Sequence, residues 1–254
     1  MGRIRYSKAP IIEATISFGI VPPAGLAVGD LAAIREMILD QYPSMGKQYF
    51  YAGEVHVPNL GKPPEHDDVH EHTGYNFSSG DEKQVFSAQL DSFDFSIRQP
   101  YDRWEPFRDE ARQLWKLFKD VSGVEKVSRV AVRYINRIDI PDSPVARLED
   151  YLRIYPEIPD NWPSGDTLYS FFMQLQLWQQ DLDCMLIVNE APGRPPSENT
   201  VSIRLDFDLF RERYDDPWQT EDDSEIWTFL EKLHERKNEV FEASITDQTR
   251  RLIK

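Results

Sequence analysis

Four of the five histidines, His56, His66, His70 and His72, fall within 17 residues, beside the carboxylates of Glu65, Asp67, Asp68 and Glu71. Imidazoles and carboxylates at that density are the groups that hold divalent metal ions. If residues 70–72 are extended, His70 and His72 project to one side, as two ligands of one ion would. The spacing fits no standard zinc motif, and the run from Pro58 to His72 is rich in Pro, Gly and Asp, which reads as a solvated loop rather than a rigid cage. His66, His70 and His72 are therefore the candidate ligands of a metal site that the sequence does not require, and no cofactor is expected.

A second constellation lies in strand-like segments. From Arg129 to Pro141, Val130, Val132, Tyr134, Ile138 and Ile140 alternate with Arg129, Arg133 and Arg137, so the arginines leave by the opposite face of a strand. Thr200 to Phe210 alternates in the same way and sends Arg204 outward, while a hairpin around Gln179-Gln180-Asp181 presents Gln174 and Gln176. If these strands are neighbours, Arg133, Arg137, Arg204, Gln174 and Gln176 share one surface. Guanidinium forks suit carboxylates or phosphates, which makes the five residues a candidate ligand site. The competing reading is cross-strand pairing with Asp139, Asp206 and Asp208. Asn136 falls on the inward side of its strand, where a buried amide that fixes register is expected.

No catalytic set emerges. The acid pairs Asp206/Asp208 and Asp222/Asp223 lie on outward strand positions or in a helix cap, away from the burial that separates the pKa values of paired carboxylates. Cys184, the only cysteine, sits in the apolar run Leu182 to Val188 and reads as a buried, inert thiol. The 12 glycines form neither a dinucleotide-binding nor a P-loop pattern, and no nucleophile elbow or His-Glu-x-x-His motif is present.

The elements that must position these residues follow a pattern that occurs twice: a long strand, a helix, a run of antiparallel strands, then an amphipathic helix. Phe93-Asp-Phe-Ser-Ile is followed by Tyr101-Asp-Arg-Trp104, and Leu205-Asp-Phe-Asp-Leu by Tyr214-Asp-Asp-Pro-Trp218. The expected architecture is α+β: one domain over residues 1–254, built from halves at about 10–122 and 127–241 plus a short C-terminal segment. The halves would join into one curved antiparallel sheet with helices on one face. The helix after Asp102 carries Trp104, Phe107, Ala111, Leu114, Phe118 and Val121 on one stripe, and Glu221-Asp-Asp-Ser would cap a helix carrying Ile226, Phe229, Leu230, Leu233 and Val240. Asp30 would cap a short helix from Leu31 to Ile38. Strands are expected near Ile11–Ile20, Gln48–Val57, Tyr75–Ser78, Leu168–Trp178 and Leu182–Asn189, a short helix near Val145–Arg153, and a loop over Ala191–Asn199. The order of elements resembles the halves of the saddle-shaped TATA-binding-protein fold. The alternative is an antiparallel sheet gripping one long helix.

Charge restricts the partners. The chain carries 44 acidic against 29 basic residues, a net charge of −15, so it repels a phosphate backbone at long range and nucleic acid is not an expected ligand. No apolar run approaches the roughly 18 residues of a membrane span, and the start, Met-Gly-Arg-Ile-Arg-Tyr-Ser, lacks the apolar stretch of a signal peptide. A cytoplasmic protein is expected.

Tyr6 to Phe18, Arg129 to Pro141 and Leu233 to Thr246 together resemble a sporadically distributed family of bacterial proteins of about this length, with Arg-Tyr-Ile-Asn-Arg-Ile the most specific run. The family has no known activity, so the resemblance transfers no catalytic residue. Its patchy distribution implies an accessory gene, as in defence or toxin–antitoxin loci. The leading functional expectation is a non-enzymatic protein that recognises another protein. The alternative is an enzyme or sensor for a small anionic ligand at the arginine-lined sheet face. A concave, desolvated pocket would favour the second and a flat patch the first.

Overall fold

The structure, a computed structural model, describes residues 6–52, 69–141, 147–159, 162, 170–198 and 200–254. Strand β1 (Ile11–Ile20) leads through a 3-10 turn (Val28–Ala33) into α1 (Ile34–Ile38). Then come β2 (Ser44–Ala52), β3 (Val69–Ser78), β4 (Gln84–Gln89), β5 (Ser92–Arg98) and α2 (Trp104–Ser122). Strand β6 (Lys126–Pro141) opens the remainder and is followed by α3 (Leu148–Tyr151), β7 (Met173–Gln179), β8 (Cys184–Gly193) and β9 (Thr200–Glu212). A two-residue β10 (Trp218–Gln219) precedes α4 (Ser224–Ser244) and α5 (Asp247–Leu252). The architecture is α+β, with a ten-stranded antiparallel sheet in the order β2-β3-β4-β5-β1-β6-β9-β8-β7 and β10 beside β6. No helix among the described residues is long and apolar enough to cross a membrane.

The period-two patterns set the register. Val130, Val132, Tyr134, Ile138 and Ile140 of β6 are buried together with Ile203, Leu205, Phe207 and Leu209 of β9, which lie opposite them. At the centre, β1 pairs with β6 and places Phe18 beside Val130. Phe18 gathers an aromatic cluster: its ring lies 5.5 Å from Phe93, 4.8 Å from Trp115 of α2 and 5.6 Å from Trp227 of α4. Offset and edge-on contacts of this kind add to the hydrophobic gain of burial. Helix α2 buries Trp104, Phe107, Ala111, Leu114 and Phe118 as its periodicity predicts, with Trp115 added, and stops at Gly123, whose φ of 68° is the left-handed cap that glycine adopts freely. Gly74 is required for a different reason, since a Cβ there would lie 2.2 Å from the Ala88 carbonyl oxygen.

Several boundaries differ from the periodic reading. Strand β3 begins at Val69, so His70 and His72 belong to a strand rather than to a loop, while His66 lies outside the described residues. Strand β2 starts four residues before Gln48 and pairs with β3 from Ser44. Asp30 does not cap its helix. The turn starts after Ala27, and Asp30 Oδ2 accepts the Ala27 amide at 2.8 Å from inside the first turn. The expected loop Ala191–Asn199 begins later, because β8 continues through Pro192 to Gly193. Pairing with β7 ends at Glu190, so beyond it β8 is bonded only to β9 among the described residues, and a proline can sit where one side of the strand is unbonded. Only Leu148–Tyr151 of the expected Val145–Arg153 helix is helical, with residues 145 and 146 outside the described part. Residues 168 and 169 are outside it too, and β7 starts at Met173.

Candidate functional site

The strand order brings the five sheet-face candidates together. Arg137 lies directly opposite Arg204, the row Ile135–Asp206–Asn189–Gln174 crosses four strands, and the row Arg133–Asp208–Ile187–Gln176 runs beside it. Arg133, Arg137 and the two glutamines are engaged with neighbouring side chains, and Arg204 is exposed. Arg133 grips Asp206 with two nitrogens at 2.8 and 2.6 Å, and Asp206 is buried. This bond is the main cause holding the Arg133 guanidinium above its ordinary pKa. Arg137 Nε donates to Asp139 at 3.2 Å. Gln176 donates to Gln174 at 3.1 Å, Gln174 to Asn189 at 2.7 Å, and Asn189 to Asp206 at 3.5 Å. Burial pushes Asp208 upward, opposed by Arg129, whose Nη2 is 3.2 Å away. The face is a network of arginine–aspartate pairs and amides, and none of the five residues lines the cavity described below.

Of the histidine cluster, His72 is the member whose side chain is described. Its Nε2 lies 2.9 Å from the Gly74 carbonyl oxygen and so carries the proton, and its ring packs 4.8 Å from Tyr75. Among the described residues no group of three or more His, Cys, Asp or Glu is arranged to hold a metal ion.

The geometry of a ligand site appears elsewhere, in a cavity of about 790 Å³. Its walls come from residues 6–11, the connection 99–105 between β5 and α2, Asn136 at the middle of β6, and one face of α4. Helical spacing explains the last contribution: His234, Lys237, Asn238 and Phe241 recur at intervals of three, one and three, and so line a single stripe. Three polar members of this lining are almost sealed from solvent, Asn136 at 2% exposure and His234 and Lys237 at 5%.

Each is fixed by a neighbour. The Lys237 ammonium lies 4.0 Å from the centre of the Tyr134 ring, a cation–π contact that holds the charge inward. The His234 ring stacks on Trp104 at 4.4 Å and 6° between planes. Trp104 is pinned in turn by donating Nε1–H to Glu231 at 2.8 Å, and Glu231 is paired with Arg108. His234 Nδ1 and the Tyr134 hydroxyl are 3.1 Å apart, and Asn238 Nδ2 is 3.3 Å from Nε2. With the Asn238 amide donating, Nε2 accepts, the ring proton is on Nδ1, and it points at the Tyr134 oxygen. The Tyr134 and Tyr101 hydroxyls lie 3.3 Å apart, which extends the chain across the cavity. Asn136 spends one amide proton on the Leu205 carbonyl at 3.3 Å. At the rim the Tyr6 hydroxyl donates to Glu242 at 2.6 Å, and burial followed by this bond pushes the phenol up to about 12.

Tyr6 to Ile11, Asn136, and His234, Lys237, Asn238, Phe241 and Glu242 of α4 thus meet at one cavity. The lining combines the buried Lys237 with Lys8 and Arg103, the carboxylates Asp102, Glu105 and Glu242, amides and phenols, and flat apolar walls from Trp104, Tyr101 and Phe241. A signal for it was present in the sequence. The buried phase of α4 runs Ile226, Leu230, Leu233, Lys237, Phe241 and Ser244, at steps of three and four, so a lysine occupies a position that periodicity assigns to the core. Compared with known proteins, the chain matches no family model and no curated sequence.

Proposed function

We propose that this protein recognises a small anionic ligand in the cavity formed by residues 6–11, the β5–α2 connection, Asn136 and α4, in place of the arginine-bearing sheet face. The observation that carries the reading is the burial of Lys237, His234 and Asn136 in the wall of a cavity of about 790 Å³. Burying an ammonium is costly, so its place in a cavity wall, against the Tyr134 ring and in a lining that also carries Asp102, Glu105 and Glu242, marks a built polar site. The cavity volume is that of an ordinary small-molecule site, and its mixture of flat apolar walls with a few convergent polar groups is typical of one. Asn136, Asn238 and the Tyr134–His234 pair would orient the ligand, and Lys237 would neutralise it.

Thermal-shift titration of the purified protein with inorganic phosphate, benzoate and mononucleotides as probes, together with mass spectrometry of small molecules released on denaturation, tests this. At least one anion is expected to raise the melting temperature of the wild type. Lys237→Met, which keeps the length of the side chain and removes its charge, should weaken that binding by about 10- to 100-fold, as loss of a charge-assisted bond does. No shift with any probe and no released anion, or an equal response in Lys237→Met, would overturn the reading.

We also infer that the fold arose as two equivalent halves with their helices on one face. Three observations support this. β1 and β6 are paired at the centre of the sheet, and each is flanked by the last long strand of its own half, β5 or β9, with β4 or β8 beyond. α2 follows β5, and α4 follows β9 after the short β10. Trp115 and Trp227 both pack on Phe18. Superposing residues 10–121 on 127–241 is expected to lay α2 over α4, and helices landing on opposite faces would refute the idea.

A further inference from the structure

The two edges of the sheet are built differently. Strand β2 carries Lys47 and is broken by a register shift at Gln48/Tyr49, two devices that discourage pairing with another chain. Strand β7, at the other end of the order, has neither. From Ser170 to Gln180 there is no charged residue, in a chain that is 29% charged. Its pairing with β8 is regular from Met173 to Gln179. The outward-facing amides and carbonyls of β7 have no strand partner among the described residues. Phe172 and Trp178 beside them are 69% and 56% exposed.

The chemistry of this edge is palindromic. Around Leu175 the sequence reads Phe172, Met173, Gln174, Leu175, Gln176, Leu177, Trp178. Turned end for end, an antiparallel copy sets Phe172 against Trp178, Met173 against Leu177 and Gln174 against Gln176, with Leu175 on the dyad. Every pair matches in kind: aromatic with aromatic, aliphatic with aliphatic, amide with amide. Alternation puts the aromatics and glutamines on one face of the extended sheet and the aliphatic residues on the other. A two-fold interface must be self-complementary in this way, whereas a strand evolved for an unrelated partner has no reason to be. The overall charge of −15 makes two copies repel, and an uncharged strand is the segment over which they can approach.

We propose that two copies of this chain pair antiparallel through their β7 edges, with Leu175 on the two-fold axis, to form one continuous sheet. The inference stands independently of the ligand cavity. An edge of seven residues buries less than the roughly 1,200 Å² of a standard interface, so the dimer should be concentration-dependent rather than permanent.

Sedimentation velocity on the full chain, from low to high micromolar concentration, is the test. The wild type should shift from the 29.7 kDa monomer toward twice that mass. In Gln174→Lys/Gln176→Lys each lysine meets a lysine of the partner, and the dimer should be lost. In Gln174→Lys/Gln176→Glu each lysine meets a glutamate, and the dimer should return. Both glutamines are exposed, so circular dichroism and melting temperature should match the wild type in both variants. A wild type that stays monomeric at every concentration, a dimer that survives the double lysine change, or equal association of the two variants would each overturn the proposal.

Discussion

Glu190 offers a measurement with a sign and a size. It is 1% exposed on β8, between Met173 of β7 and Leu205 of β9, and neither carboxylate oxygen has a hydrogen-bond partner among the described residues. Burial pushes its pKa from 4.5 up to about 7. A folded pKa above the unfolded one means that the native state holds the proton more tightly. The contribution to stability is thus complete below about pH 4.5 and lost as pH rises through about 7. At about 1.36 kcal/mol per unit, a shift from 4.5 to about 7 corresponds to roughly 3 kcal/mol in all, most of which falls between roughly pH 5 and pH 8. Glu190→Gln keeps the shape and removes the ionisation. The amide inherits the unsatisfied position, which is an offset that does not vary with pH, so the slope is the readout. Asp94 and Asp208, both pushed upward by burial, remain in both proteins and cancel in the difference. Urea denaturation in steps from about pH 5 to pH 8 should show the wild type losing roughly 2–3 kcal/mol relative to the variant. Parallel pH profiles, or a variant that loses stability faster than the wild type as pH rises, would refute the reasoning.

Other outcomes follow from single contacts. Phe18→Ala empties the centre of the aromatic cluster and should cost about 3–5 kcal/mol in the same urea assay. Arg133→Ala leaves the buried Asp206 carboxylate with only the long Asn189 contact, and a loss of about 2–3 kcal/mol is expected, much of it recovered when Asp206→Asn is added. The Cys184 thiol is buried and pushed up to about 11, so it should react with a disulfide reagent only as fast as the protein unfolds; rapid labelling under native conditions would contradict this.

The strands of the core were legible because each has one wet and one dry face. The alternation of Val130, Val132, Tyr134, Ile138 and Ile140 needs only period two, and the stripe of α2 only period 3.6. Starts and stops were less legible, for physical reasons that differ from place to place. Strand β3 runs back to Val69 through His70 and His72, residues with no apolar pattern, because β2 pairs with it again beyond the register shift, from Tyr49 to Ala52. Strand β8 passes through Pro192 because, among the described residues, it has a strand neighbour there on one side alone. Such boundaries depend on what lies next in space, which local periodicity does not encode.

The cavity was hidden for a related reason. Polar residues read as surface by default, so the arginines on outward strand positions drew attention although Asp139, Asp206 and Asp208 were present to balance them. Lys237 held the stronger information because it breaks its own helix's pattern. A lysine in the buried phase of α4 must either destabilise the helix packing or be compensated, and part of the compensation, the Tyr134 ring 4.0 Å from the ammonium, comes from a strand more than a hundred residues earlier. The same logic separates the two surfaces in function. Removing an arginine from the sheet face exposes a carboxylate that it already neutralises, so the loss is read in stability. Removing the charge of Lys237 alters the wall of a cavity, so the loss should be read in binding. Comparing Arg133→Ala and Lys237→Met for melting temperature and for anion response side by side should therefore give opposite patterns, and an identical pattern would mean that the cavity's lysine is structural as well.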